Sequence, residues 1–164
     1  MSKLTLTLGA VLVIAVVAGC GGSASSGDTP AEAAPTPAQP PAAGANKGPT
    51  LKIVGSDYGR ILADGRGRAL YLFTADTGKA STCSGDCAAA WPPWIVKRKP
   101  RAAPGANASL IGTTRRAGRL QATYRGHPLY YYVGDRAPGQ VLCQAVFEFG
   151  GYWYVVRSSG KAVR

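Results

Sequence analysis

Residues 66–76 read RGRALYLFTAD, and residues 125–135 read RGHPLYYYVGD. The second stretch repeats Arg66, Gly67, Leu70, Tyr71 and Asp76 as Arg125, Gly126, Leu129, Tyr130 and Asp135, with Tyr132 in place of Phe73. Trp94 and Val96 return at the same spacing as Trp153 and Val155. Inside the first stretch Tyr71 and Phe73 alternate with Leu70 and Leu72. Side chains two apart share one face of a strand, and apolar residues on both faces mark a strand covered on both sides. Tyr130 and Tyr132 repeat the pattern against Leu129, Tyr131 and Val133. A small sheet is marginal by itself. A phrase written twice therefore predicts a unit that is half a domain, two copies sharing one aromatic core.

Working outward, Gly, Pro, Asp or Asn interrupts the chain about every ten residues, the rhythm of short antiparallel strands. The expected strands are Leu51–Val54, Gly59–Ala63, Ala69–Thr74, Trp94–Lys97, Leu110–Thr114, Leu120–Tyr124, Leu129–Val133, Val146–Phe149, Tyr152–Arg157 and Lys161–Arg164. Hairpin turns are expected at ADGRG (63–67), at YRGHP (124–128) and at the Gly150–Gly151 pair. One short helix, Asp86–Trp91, stops at Pro92 and Pro93. The fold class is mainly β: two pseudo-repeats, about 51–104 and 110–164, packed as a small sandwich or barrel.

The N-terminal third has a different composition. Lys3 precedes an apolar run from Leu4 to Ala18, shorter than the roughly 20 residues a spanning helix needs. It has the form of a secretory signal. The run ends in Val17-Ala18-Gly19-Cys20, which resembles a bacterial lipobox. That resemblance implies a signal peptide over 1–19 and a lipidated Cys20, anchored by acyl chains worth about 0.8 kcal/mol per buried methylene. Residues 21–50 are Gly, Ser, Ala and Pro with little to bury, the composition of a disordered, semi-stiff tether. The folded domain, 51–164, then carries 17 Lys and Arg against 6 Asp and Glu. On an exported domain this charge can reflect affinity for anionic envelope polymers or lipid, or equally a basic, arginine-rich proteome; nucleic acid is not expected. KRKPR at 97–101 reads as a solvated loop.

An exported chain favours disulfides. Cys83 and Cys87 flank Ser, Gly and Asp, which suit a tight turn, and a bridge there would contribute about 2 kcal/mol. Cys143 is then left over, and a bridge from it to either partner stays open. Zinc would need about four ligands, and Cys83, Cys87, Cys143 and His127 are the set available, so no metal is expected. His127 is placed in a hairpin turn, in solvent. No Cys-x-x-Cys-His for haem, no nucleophile elbow and no phosphate loop occur, so neither a cofactor nor a catalytic residue is assigned. Asp76 and Asp135 could be paired carboxylates for acid–base work. Their duplication at symmetric places favours turn caps instead. The tyrosines could form an exposed stacking row, but core is the expected reading.

The double Tyr-x-aromatic-x-x-Asp pattern (Tyr71, Phe73, Asp76; Tyr130, Tyr132, Asp135) stands beside CSGDCAAAWPPW (83–94) and FGGYWYVV (149–156). Together they resemble the bacterial secreted lipoprotein-repeat family, over nearly all of 51–164. The resemblance names no activity. The sequence thus leads to a lipid-anchored envelope protein with a non-enzymatic binding or scaffolding role. A redox, metal- or haem-handling protein and a carboxylate-based enzyme are the alternatives.

Overall fold

The computed structural model describes residues 48–164; the expected signal peptide, Cys20 and nearly all of the tether lie outside the described residues. The order is β1 (Thr50–Ser56), β2 (Gly59–Asp64), β3 (Tyr71–Phe73), α1 (Asp86–Ala90), β4 (Ile95–Val96), β5 (Arg101–Ala102), a 3-10 turn (Ala108–Leu110), β6 (Ile111–Arg116), β7 (Arg119–Tyr124), β8 (His127–Pro128), β9 (Val146–Glu148) and β10 (Gly151–Val155). Among the described residues three small sheets result, β2-β1-β5, β3-β10-β9 and β4-β7-β6 with β8 added on β7, and none closes into a barrel. All pairs are antiparallel except β1 with β5. β5 falls at the end of KRKPR, so that segment is only partly loop.

The repeat is visible as two matching hairpins, β1–β2 and β6–β7. Each copy then sends its returning strand to the other. β4 of the first copy pairs with β7 of the second (Ile95↔Gln121), and β10 of the second pairs with β3 of the first (Trp153↔Phe73, Val155↔Tyr71). Between these exchanges Tyr71 N–H donates to Tyr130 O at 2.9 Å and Tyr130 N–H donates to Tyr71 O at 3.0 Å. Contacts that run from i to j′ and from j to i′ are those of a two-fold relation.

The two copies differ where prolines intervene. The expected strand Leu129–Val133 does not form; Tyr130 makes only single bridges to Tyr71 and Pro93. β3 faces β10, which contains no proline and pairs with it along the ladder. The corresponding segment of the second copy faces Pro92 and Pro93, which have none to give. What survives is Tyr131 N–H to Pro92 O, Trp94 N–H to Leu129 O and Val133 N–H to Ala90 O. Those prolines also end α1, one residue earlier than expected, since Trp91 must be extended ahead of proline (φ −121°, ψ 75°). Lys161–Arg164 likewise reduces to one bridge, Val156↔Ala162.

The third hairpin turn lies at Phe149–Gly150 (φ 55° and 84°), not at Gly150–Gly151, the positive pair that a two-residue loop needs. Gly151 serves packing instead. A Cβ there would sit 2.7 Å from the Phe73 ring and 2.9 Å from Ala75 N. Gly151→Ala is therefore expected to cost about 1–3 kcal/mol, the usual cost of overpacking. An unshifted denaturation midpoint would show that this approach is not tight.

Burial separates by strand face. Leu70 and Leu72 join a cluster with Leu51, Leu62, Trp94, Ile111, Tyr124 and Leu129. Tyr71 and Phe73 join the other, with Ile61, Trp91, Tyr130, Trp153, Val155, Cys83 and Cys87. The single aromatic core expected from sequence is thus two cores, one largely aliphatic and one largely aromatic, each drawing on both copies.

Candidate functional site

The repeated residues converge on the aromatic core. Trp153 lies between Phe73 (4.1 Å, 10° between planes) and Trp91 (4.2 Å, 5°), with the Tyr130 ring edge-on at 5.1 Å. Offset stacks and edge contacts each contribute about 0.5–1.5 kcal/mol beyond their buried area. Tyr132 does not copy Phe73: it is half-buried and tilted at 40° against Trp91. Without the strand expected at 129–133, its ring is not driven inward.

The tyrosines and aspartates of the motif bind crosswise. Tyr71 Oη donates to Asp135 Oδ2 at 2.5 Å, and Tyr130 Oη donates to Asp76 Oδ2 at 2.5 Å. Each pair joins the tyrosine of one copy to the aspartate of the other. The second carboxylate oxygen holds a loop: Asp76 Oδ1 accepts from Thr82 N–H (2.7 Å) and Thr82 Oγ1 (2.8 Å), and Asp135 Oδ1 accepts from Leu142 N–H (2.9 Å). Ser81 Oγ shares a 2.6 Å bond with the Tyr130 hydroxyl, and Arg116 donates to Ser81 Oγ and to the Cys83 carbonyl.

Electrostatics follow from burial. Both aspartates are only 2% exposed. Burial, then the hydrogen bond to Asp135, pushes the Tyr71 hydroxyl far above the ordinary tyrosine range. Tyr130 is raised by burial and then by Asp76, and Tyr131 by burial and the Asp64 charge. Burial also raises the Asp135 carboxyl, against the lowering hydrogen bonds from Tyr71 and Leu142 N–H. The Tyr132 hydroxyl is raised chiefly by its hydrogen bond with Cys143.

Cys83 and Cys87 form a disulfide with Cα atoms 5.3 Å apart, and Cys143 is a free, half-buried thiol. Among the described residues no group of three His, Cys, Asp or Glu side chains is placed to hold a metal. His127 departs from its expected solvated turn: it is half-buried in β8, and its Nδ1 is enclosed without a partner. It lines an open cleft of about 530 Å³ beside Arg125 and Lys161. A second cleft, of about 500 Å³, has Arg66, Arg68 and Arg119 on its walls. Sequence reading placed none of these residues in a cleft, although Arg66–Gly67–Arg68 and Arg125–Gly126–His127 open the two copies of the phrase.

Two segments of the chain, residues 52–94 and 113–157, match a family described as a secreted repeat of unknown function. Among curated proteins nothing matches significantly, and the solved structures likewise offer no significant match. No helix among the described residues is long and apolar enough to cross a membrane.

Proposed function

The chain belongs to that family of secreted repeats, and on this premise we propose that it is a lipid-anchored, non-enzymatic binding module of the cell envelope. The supporting observation is the use made of its carboxylates. A general acid or base must reach the proton it transfers. Asp76 and Asp135 are buried, and each already holds a tyrosine hydroxyl and a loop N–H. Their arrangement binds one half of the domain to the other and leaves the surface to meet the ligand. Anchoring through Cys20 would keep that surface at the membrane on the Gly/Ser/Ala/Pro tether of 21–50.

The role is tested with the full chain in its native envelope. Saturable retention of one class of envelope material, recovered chemically unchanged, is the expected result; conversion of that material to a product would overturn it. Anchoring has its own test. Cys20→Ser is expected to move the protein out of the membrane fraction, because the acyl chains contribute most of the attachment energy. A variant that stays as membrane-bound as the wild type would remove the lipid anchor from this reading.

A further inference from the structure

The two clefts share three repeat positions in their walls. At the spacing of the repeat, Arg66 corresponds to Arg125, Arg68 to His127 and Leu72 to Tyr131. The 500 Å³ cleft is walled by Arg66, Arg68 and Tyr131, and the 530 Å³ cleft by Arg125, His127 and Leu72. In each, a turn arginine and the residue two positions later come from one copy, and the middle residue of the core stretch comes from the other. Further cations line each, Arg119 in the first and Lys161 and Arg164 in the second.

A second observation falls on the same positions. Among the described residues, the buried side-chain nitrogen and oxygen atoms without a hydrogen-bond partner are Arg68 Nε, His127 Nδ1 and Gln121 Oε1. Gln121 lines neither cleft, whereas the other two occupy one repeat position twice. Leaving a buried polar atom unmet is costly. Arg68 is held at the wall by stacking 4.3 Å over the Tyr131 ring and by donating to Tyr132 O at 3.2 Å.

The carboxylate in each cleft is already engaged. Asp64 accepts from Arg66 N–H, Arg68 N–H and Tyr131 Oη; Asp76 accepts from Tyr130 and Thr82. The remaining chemistry is cationic and rich in donors. A guanidinium fork fits a phosphate with paired, charge-assisted hydrogen bonds. Cavities of this size accept a ligand larger than the bare ion, such as one phosphorylated sugar or polyol unit.

Taking the binding role above as given, we propose that the two clefts are oxyanion sites, each taking one phosphate group of a phosphodiester-linked envelope polymer. Two linked groups on one chain then bind with the gain that joined sites provide.

Calorimetric titration of the full chain tests this with inorganic phosphate and with a poly(glycerol phosphate) chain. Two phosphates per protein are expected, with the polymer at least about a hundredfold tighter. Arg66→Gln and Arg125→Gln, both on exposed turns, should each remove one site and reduce polymer affinity about tenfold or more, in line with the loss of a charge-assisted bond. Arg68→Gln and His127→Gln should do the same where melts show them folded. Lys99→Gln removes the same charge from an exposed loop and should change nothing. Unchanged stoichiometry in Arg66→Gln and Arg125→Gln, or equal weakening by Lys99→Gln, would overturn the proposal. So would binding only to phosphatidylglycerol–phosphatidylcholine vesicles, unaffected by the cleft variants, since that is surface charge acting on lipid. Failure to bind phosphate alongside retention of some other envelope component would leave the binding role standing and remove only this ligand.

Discussion

Tyr71→Ala and Tyr130→Ala are each expected to lower the unfolding free energy by about 3–5 kcal/mol, the range for emptying a large aromatic site. Each substitution removes a fully buried ring from the aromatic core. Each also leaves a buried aspartate of the opposite copy without its 2.5 Å donor. Domain stabilities are about 5–15 kcal/mol in total, so either change should take a large share of the fold. Tyr71→Phe and Tyr130→Phe keep the ring and isolate the hydroxyl, at about 1–3 kcal/mol for the carboxylate left unmet. Asp76→Ala and Asp135→Ala fall in the same 1–3 kcal/mol range, above the roughly 1 kcal/mol that a turn cap alone would suggest, because they strand a tyrosine hydroxyl as well as a loop N–H. Denaturant melts of these variants decide the matter. If the Asp variants melt like the wild type, the crossed pairs do not hold the halves together.

Alkaline pH should unfold the protein steeply. Tyr71, Tyr130 and Tyr131 are all raised above the ordinary tyrosine range. In the unfolded chain they ionise near pH ~10. Below that pH both states are protonated and the stability is intact. Above it the unfolded state sheds protons that the folded state keeps, so stability falls as pH rises. Each such group contributes a slope of about 1.4 kcal/mol per pH unit, and three together about 4. Chemical denaturation at stepped pH, with tyrosinate absorbance followed in parallel, should show ionisation and unfolding rising together. Tyr131→Phe should flatten the slope by about a third. Tyrosines that titrate normally in a protein that stays folded would defeat this expectation.

Much of the fold could be read from the alternation around Leu70–Phe73, since a strand that is apolar on both faces has few places to go. The repeat spacing also indicated that the halves share what they bury. It did not reveal the exchange of β4 and β10, because the same alternation fits a returning strand that stays in its own copy. The missing strand at 129–133 was hidden for a related reason. Its own residues favour a strand, and the obstacle is Pro92 and Pro93, distant in sequence and facing it only after folding. The Tyr–Asp motif was legible as a pattern but not as a crossed pair, because sequence spacing carries no sign of which copy supplies the partner. The clefts left less trace still. A basic composition marks a charged surface, but Arg68 and His127 differ in residue type and become equivalent only by position.

The strand exchange sets an order for how the domain can be made. A polypeptide emerges from its N-terminus, so β3 appears long before β10, the strand that covers it. Until then β3 has no strand beside it, and its aromatic side chains and unpaired backbone are the kind of surface that recruits another chain. Closing so long a loop costs only slightly more entropy than closing a short one, but the reward arrives late, and contacts of this range fold slowly. The first copy therefore waits unfinished through synthesis. Truncation after β3 and before residue 151 should yield an aggregating fragment rather than a smaller domain.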